Sequence, residues 1–179
     1  MKELLITSGY PRNGNTYLNQ ALNMLYYPEQ EINLNSHTVN AIHKASLIMV
    51  PFRNPLDAIS SWHKWPSTCE LEADVRYYIR FHKAVLDNLH KVVLMDFDYF
   101  TKDLDYIKNK VFKNFGIGTD NQVTDAQVKE VMLAGGKEIN LPRNNKEELD
   151  IVKAELQRMA GFNECVELYN ALKSSSIQN

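Results

Sequence analysis

The chain has 179 residues, with 20 Lys+Arg against 22 Asp+Glu, a formal net charge of −2, and 44% hydrophobic residues. These are the values of a soluble globular domain with one core, and they predict a single domain over 1–173 with a frayed tail at 174–179. The balance argues against a general polyanion face for nucleic acid, and no apolar run reaches the length of a membrane span or a signal-peptide core. Cys69 and Cys165 lie far apart without a C-x-x-C pairing. They read as reduced thiols of a cytoplasmic protein, a lone bridge being the alternative.

Residues 3–8 form a short apolar run leading into Ser8-Gly9, the pattern of a buried strand. Beyond a glycine-bearing loop, Tyr17, Leu18, Ala21, Leu22 and Leu25 recur at helical spacing. That helix is expected to stop near Tyr27-Pro28, because proline disfavours helical backbone in the residue before it. A brief strand at 32–34 and a short helix around Val39 and Ile42 come next, and S-L-I-M-V-P-F at 46–52 is the clearest buried strand. Asn54 suits an N-cap, Pro55 the first helical position and Asp57 the third, from which a carboxylate can reach back to the cap. Residues 70–90 carry Leu71, Val75, Tyr78, Ile79, His82, Leu86 and Leu89 on one face of an amphipathic helix. V-V-L-M-D at 92–96 reads as a strand, followed by helix through Phe115. Thr124 and Gln127 form a capping box for a helix near 125–134, and 146–172 reads as helix broken at Gly161. The alternation predicts a three-layer α/β/α fold with a central, mainly parallel sheet and a helical C-terminal part at 124–173. Sites in such sheets lie beyond the carboxyl ends of the strands.

Residues 9–16, G-Y-P-R-N-G-N-T, have the G-x-x-x-x-G-K-S/T spacing of a phosphate loop between strand and helix, with Asn15 in place of the lysine. Gly14 lets the backbone turn, and the N–H groups of Gly14 to Tyr17 can point at a phosphate. Arg12 supplies positive charge and Thr16 a hydroxyl. Phosphoryl transfer with Mg²⁺ also wants an acid at a second strand end. The 46–52 strand ends instead in Arg53, which favours direct recognition of an anion and predicts no metal.

Together these segments resemble the sulfotransferases. S-G-Y-P-R-N-G-N-T-Y is similar to that family's 5′-phosphosulfate loop, Tyr-Pro-Lys/Arg-Ser-Gly-Thr-Thr-Trp, which falls on Tyr10, Pro11, Arg12, Asn13, Gly14, Asn15, Thr16 and Tyr17. R-N-P-L-D-A-I-S-S resembles the 3′-phosphate motif, with Arg53, Asn54, Pro55, Asp57 and Ser61 at the matching positions. A third echo runs from V-V-L-M-D-F-D-Y-F-T-K-D to V-F-K-N-F-G-I, so that the resemblance spans roughly residues 3–118.

The resemblance implies a P-loop-like topology and the donor 3′-phosphoadenosine 5′-phosphosulfate, leaving 3′-phosphoadenosine 5′-phosphate as product. It implies donor contacts from Arg12, Asn13, Gly14, Asn15, Thr16 and Tyr17, and from Arg53 and Ser61, beside which Ser60 competes. It also implies a basic loop over the 3′-phosphate, where Lys137 and Arg143 stand, a plain interhelical loop being the alternative. The family's base is a histidine, suited by an imidazole pKa near neutrality. His37 takes that place, the alternatives being His43 or neither histidine, and the remaining His63, His82 and His90 read as surface or packing residues. Arg12 would stabilise the leaving group. Trp62, Trp65, Tyr77, Tyr78 and Phe81 are pocket wall or core.

The acceptor is expected to be a small molecule or a glycan-type group. The family's dimerisation signature is absent, so oligomeric state stays open, and the compact length implies an open acceptor site. A P-loop nucleotide or small-molecule kinase or hydrolase is the alternative enzyme. A non-catalytic adenosine-phosphate-binding domain is the alternative of another class.

Overall fold

Parallel strands need crossover connections, and helices fill them here. The computed structural model describes residues 4–27, 31–34, 37–64, 70–134 and 146–178. Its strands are β1 (Leu4–Thr7), β2 (Glu31–Leu34), β3 (Ile48–Phe52) and β4 (Val92–Asp96). They form one parallel sheet in the order β2-β1-β3-β4, with Ile48 opposite Val92 and Phe52 opposite Asp96. The helices are α1 (Asn15–Tyr26), α2 (Val39–Lys44), α3 (Pro55–His63), α4 (Leu71–Leu86), α5 (Phe97–Phe100), α6 (Leu104–Phe115), α7 (Asp125–Ala134), α8 (Lys146–Leu156) and α9 (Phe162–Gln178).

All residues of β3 and β4 are buried, because helices cover both faces of the sheet. Strand alternation then divides the apolar side chains into two cores. Ile48, Val50, Phe52, Val92 and Leu94 face α3, α4, α8 and α9, through residues such as Ile59, Tyr78, Leu156 and Leu172. Leu5, Met49, Val93 and Met95 face α1, α6 and α7, through Leu18, Leu22, Ile107 and Val128.

Local signals set several boundaries. Asn54 Oδ1 accepts from Leu56 N at 2.9 Å, with Pro55 at the first helical position. Thr124 and Gln127 cap reciprocally: Gln127 N donates to Thr124 Oγ1 at 3.3 Å and Thr124 N to Gln127 Oε1 at 2.8 Å. Asp57 departs from the expectation. Its carboxylate does not reach back to the cap; it turns to Lys153 of α8, at 2.6 Å.

Three other segments differ from the sequence reading. The helix expected over 70–90 stops at Leu86, and a 3₁₀ turn at Leu89–Lys91 leads into β4. The segment after β4 is two helices, because Asp103 Oδ1 accepts from Asp105 N at 2.9 Å and starts α6 afresh. α9 runs on to Gln178, through serines expected to fray. There Ser175 Oγ donates to Ala171 O, and Lys110 Nζ reaches across from α6 to Ser176 O at 3.1 Å.

Candidate functional site

β1 and β3 are neighbours in the sheet, so the loops leaving their carboxyl ends lie side by side. In the first loop, Asn13 N donates to Tyr10 O at 3.2 Å, closing a turn, and Arg12 and Gly14 take φ of 66° and 88°. Gly14 caps α1, whose first helical bond runs from Leu18 N to Gly14 O. The N–H groups of Asn15, Thr16 and Tyr17 precede that bond, and the first turn holds no acidic residue to compete for an anion.

Two glycines make this approach possible. A methyl group at Gly9 would stand 2.5 Å from Asn15 Oδ1 and 2.7 Å from Pro51 Cγ. One at Gly14 would stand 2.8 Å from both Phe97 and Phe100, on top of the positive φ. Gly14→Ala is therefore expected to destabilise the fold by about 1–3 kcal/mol, read as a lower urea midpoint at constant m. An unmoved midpoint would remove the requirement for glycine.

The second loop meets the first through its arginine. Arg53 Nη1 donates to Arg12 O at 3.2 Å, and Arg12 Nε donates to Ser61 Oγ at 2.9 Å. The Arg53 guanidinium lies 4.3 Å over the Phe97 ring. Burial pushes its pKa down, opposed by Asp57 and Asp98, and a guanidinium stays charged at neutral pH regardless. Ser60 is buried and donates to Leu56 O at 2.6 Å, which leaves Ser61 as the serine that meets Arg12.

These groups line one cavity of about 290 Å³, together with Gly14, Asn15, Thr16, Tyr17 and His37. His37 Nδ1 lies 2.8 Å from Gly9 O. A carbonyl only accepts, so Nδ1 is assigned the proton and Nε2 keeps its lone pair. Asn15 Nδ2 lies 3.5 Å from the same nitrogen and donates more closely to Tyr10 O, at 2.9 Å. The Tyr77 hydroxyl donates to His37 O, with the Arg80 guanidinium 5.2 Å over the Tyr77 ring.

Asn13 stands apart from the cavity. Its side chain is buried, donates to Pro51 O at 3.1 Å and faces His82 Nε2 at 3.4 Å, while its N–H is spent on the turn. The Tyr17 hydroxyl is committed to Asp125 Oδ1 at 2.5 Å, joining α1 to α7. Lys137, Arg143, Trp65 and Cys69 lie outside the described residues. Cys165 is a free, buried thiol whose pKa desolvation pushes up to about 12. Trp62 lines the cavity, whereas Tyr78 and Phe81 belong to the core.

The cavity also takes residues that the two phosphate motifs do not contain: Phe97, Lys64, Leu149 and Lys153. Phe97 lies in the third echo and follows the last residue of β4, where the strand-end rule places sites. Lys153 carries no comparable signal, being one lysine on an amphipathic helix.

The chain matches no family model, no curated protein and no solved structure. No helix among the described residues is long and apolar enough to cross a membrane. Nor do the described residues gather three or more His, Cys, Asp or Glu side chains that could hold a metal ion.

Three of the other histidines make contacts elsewhere in the fold. His63 Nδ1 lies 2.9 Å from Asp74 Oδ2, and the backbone carbonyl of His43 accepts from Lys91 Nζ. His82 is fully buried, donates from Nδ1 to Tyr78 O at 2.9 Å and packs on the Tyr78 ring at 3.9 Å. Desolvation lowers its pKa from 6.5 to about 4. The unfolded chain therefore takes up this proton first, so the stabilisation is complete above about pH 6.5 and is lost as pH falls toward 4, by roughly 3 kcal/mol. Asp74 and Asp96 act in the opposite sense, since burial raises their carboxyl pKa values. Urea unfolding from pH 7 to 4.5 should show a flatter decline in His82→Leu than in wild type. Parallel declines would refute the assignment.

Proposed function

We propose that the chain is a sulfotransferase of P-loop-like topology, moving a sulfuryl group from 3′-phosphoadenosine 5′-phosphosulfate to the hydroxyl or amine of a small-molecule or glycan-type acceptor. The observation that carries this reading is the meeting of two anion-binding loops on one cavity, through the Arg12–Ser61 bond at 2.9 Å. A donor with phosphate groups at both the 3′ and 5′ positions needs two such loops. The parallel sheet, with both loops beyond its carboxyl edge, supports the topology.

The residues divide the work as follows. The N–H groups at the start of α1 and the Arg12 guanidinium hold the 5′-phosphate end. Arg53 and Ser61 hold the 3′-phosphate. His37 Nε2 takes the acceptor proton as the acceptor oxygen attacks sulfur in line and the S–O bond to the 5′-phosphate breaks. The bonding electrons leave on the phosphate oxygen, where Arg12 and the backbone N–H groups stabilise the charge. Charge on the departing oxygen is met by this chain's own cations, with Arg53 at the strand end where a kinase would need an acid.

Ligand-induced stabilisation tests the reading directly. Adenosine 3′,5′-bisphosphate is expected to raise the melting temperature without Mg²⁺, and ATP with Mg²⁺ to raise it less. The reverse order would sink the proposal in favour of nucleotide phosphoryl transfer.

A further inference from the structure

The cavity has a wall that neither phosphate motif supplies. α8 presents Leu149 to it and, one turn later, Lys153, while Val152 and Leu156 anchor the helix in the core shared with α3, α4 and α9. Lys153 Nζ lies 2.6 Å from Asp57 Oδ1. Asp57 faces the same cavity, one turn before Ser61 on α3. A second pair, Lys64 Nζ to Glu148 Oε2 at 3.5 Å, joins the far end of α3 to the start of α8. Both pairs are partly exposed, so each is a weak structural tie.

Their placement says more than their strength. Among the described residues that line the cavity, Asp57 is the one carboxylate. An anion settling beside Arg53 meets its negative charge unless a cation stays within reach. Lys153 is that cation, and its flexible stem lets the ammonium turn between two acceptors. A dianionic phosphate competes favourably with a half-exposed, singly charged carboxylate for one ammonium.

We infer that Lys153 is a phosphate-binding residue of this cavity, held on Asp57 in this structure and drawn to the ligand's phosphate on binding. α8 is then the ligand-responsive wall of the site. The inference rests on the proposed function only for the ligand's identity; the chemistry it needs is a phosphate dianion.

The test is calorimetric titration of wild type, Lys153→Met and Asp57→Asn with adenosine 3′,5′-bisphosphate and, separately, with tripolyphosphate. Lys153→Met is expected to bind roughly tenfold more weakly than wild type, and Asp57→Asn about threefold more tightly. A merely structural ion pair would instead lower the melting temperature of both variants and leave the affinities of the folded proteins equal. Wild type that binds tripolyphosphate but not the bisphosphate would sink the donor reading, while the order across the variants still decides Lys153. Equal affinities in all three proteins for each ligand bound, or failure of wild type to bind either ligand, overturn the inference.

Discussion

His37→Ala is expected to lower sulfuryl transfer by about 10²–10⁴-fold while leaving adenosine 3′,5′-bisphosphate binding intact. The separation follows from the geometry. The Nδ1 side of the ring is occupied by Gly9 O at 2.8 Å, so only Nε2 is left to meet an acceptor proton. The groups proposed to hold phosphate are the N–H groups after Gly14 and the two arginines, none of which the substitution removes. Initial rates over an acceptor panel, set beside calorimetric binding, read the two effects independently. An unchanged rate would eliminate His37 as the base. Wild type that binds the bisphosphate but transfers to no acceptor would favour a binding domain without turnover.

Arg53→Ala should abolish the preference for adenosine 3′,5′-bisphosphate over adenosine 5′-monophosphate, weakening the bisphosphate by at least about thirtyfold. Arg53 is committed from three sides: its guanidinium bonds Arg12 O, covers the Phe97 ring, and its own carbonyl accepts from the Tyr78 hydroxyl at 3.0 Å. Such a group is positioned before any ligand arrives, so it loses little freedom on binding. Arg53→Lys keeps the charge and loses the planar fork, and should recover only part of the discrimination. If the ratio of the two affinities is unchanged in Arg53→Ala, the 3′-phosphate assignment fails. Circular dichroism of each variant separates this outcome from loss of the fold.

The sheet was legible because its signals are local. Apolar runs of four or more residues made β3 and β4 unmistakable, and Pro55 after Asn54 marked the start of α3. The two loops that line the cavity were legible for the same reason, each being a contiguous stretch beside a strand end. What escaped depends on partners distant in the chain. Asn13 sits inside the phosphate-loop pattern, yet its side chain turns into the core toward Pro51 O and His82. Nothing within the loop distinguishes it from Asn15, which stays at the cavity. Asp57 looked like a capping carboxylate until α8 brought Lys153 against it. The serines after Lys173 looked like a tail because their composition is polar; the hydroxyl bonds and the Lys110 contact that accompany the helix there cannot be read from composition.

The Asp57–Lys153 contact also bears on the order in which the protein comes into being. Both loops are synthesised by residue 64, and α8 follows roughly 5–20 s later at ordinary synthesis rates. In that interval the nascent chain exposes Arg12 and Arg53 without their opposite wall. Completion of the cavity thus waits for α8, and the proposed phosphate ligand would favour the completed domain over its partly folded precursors.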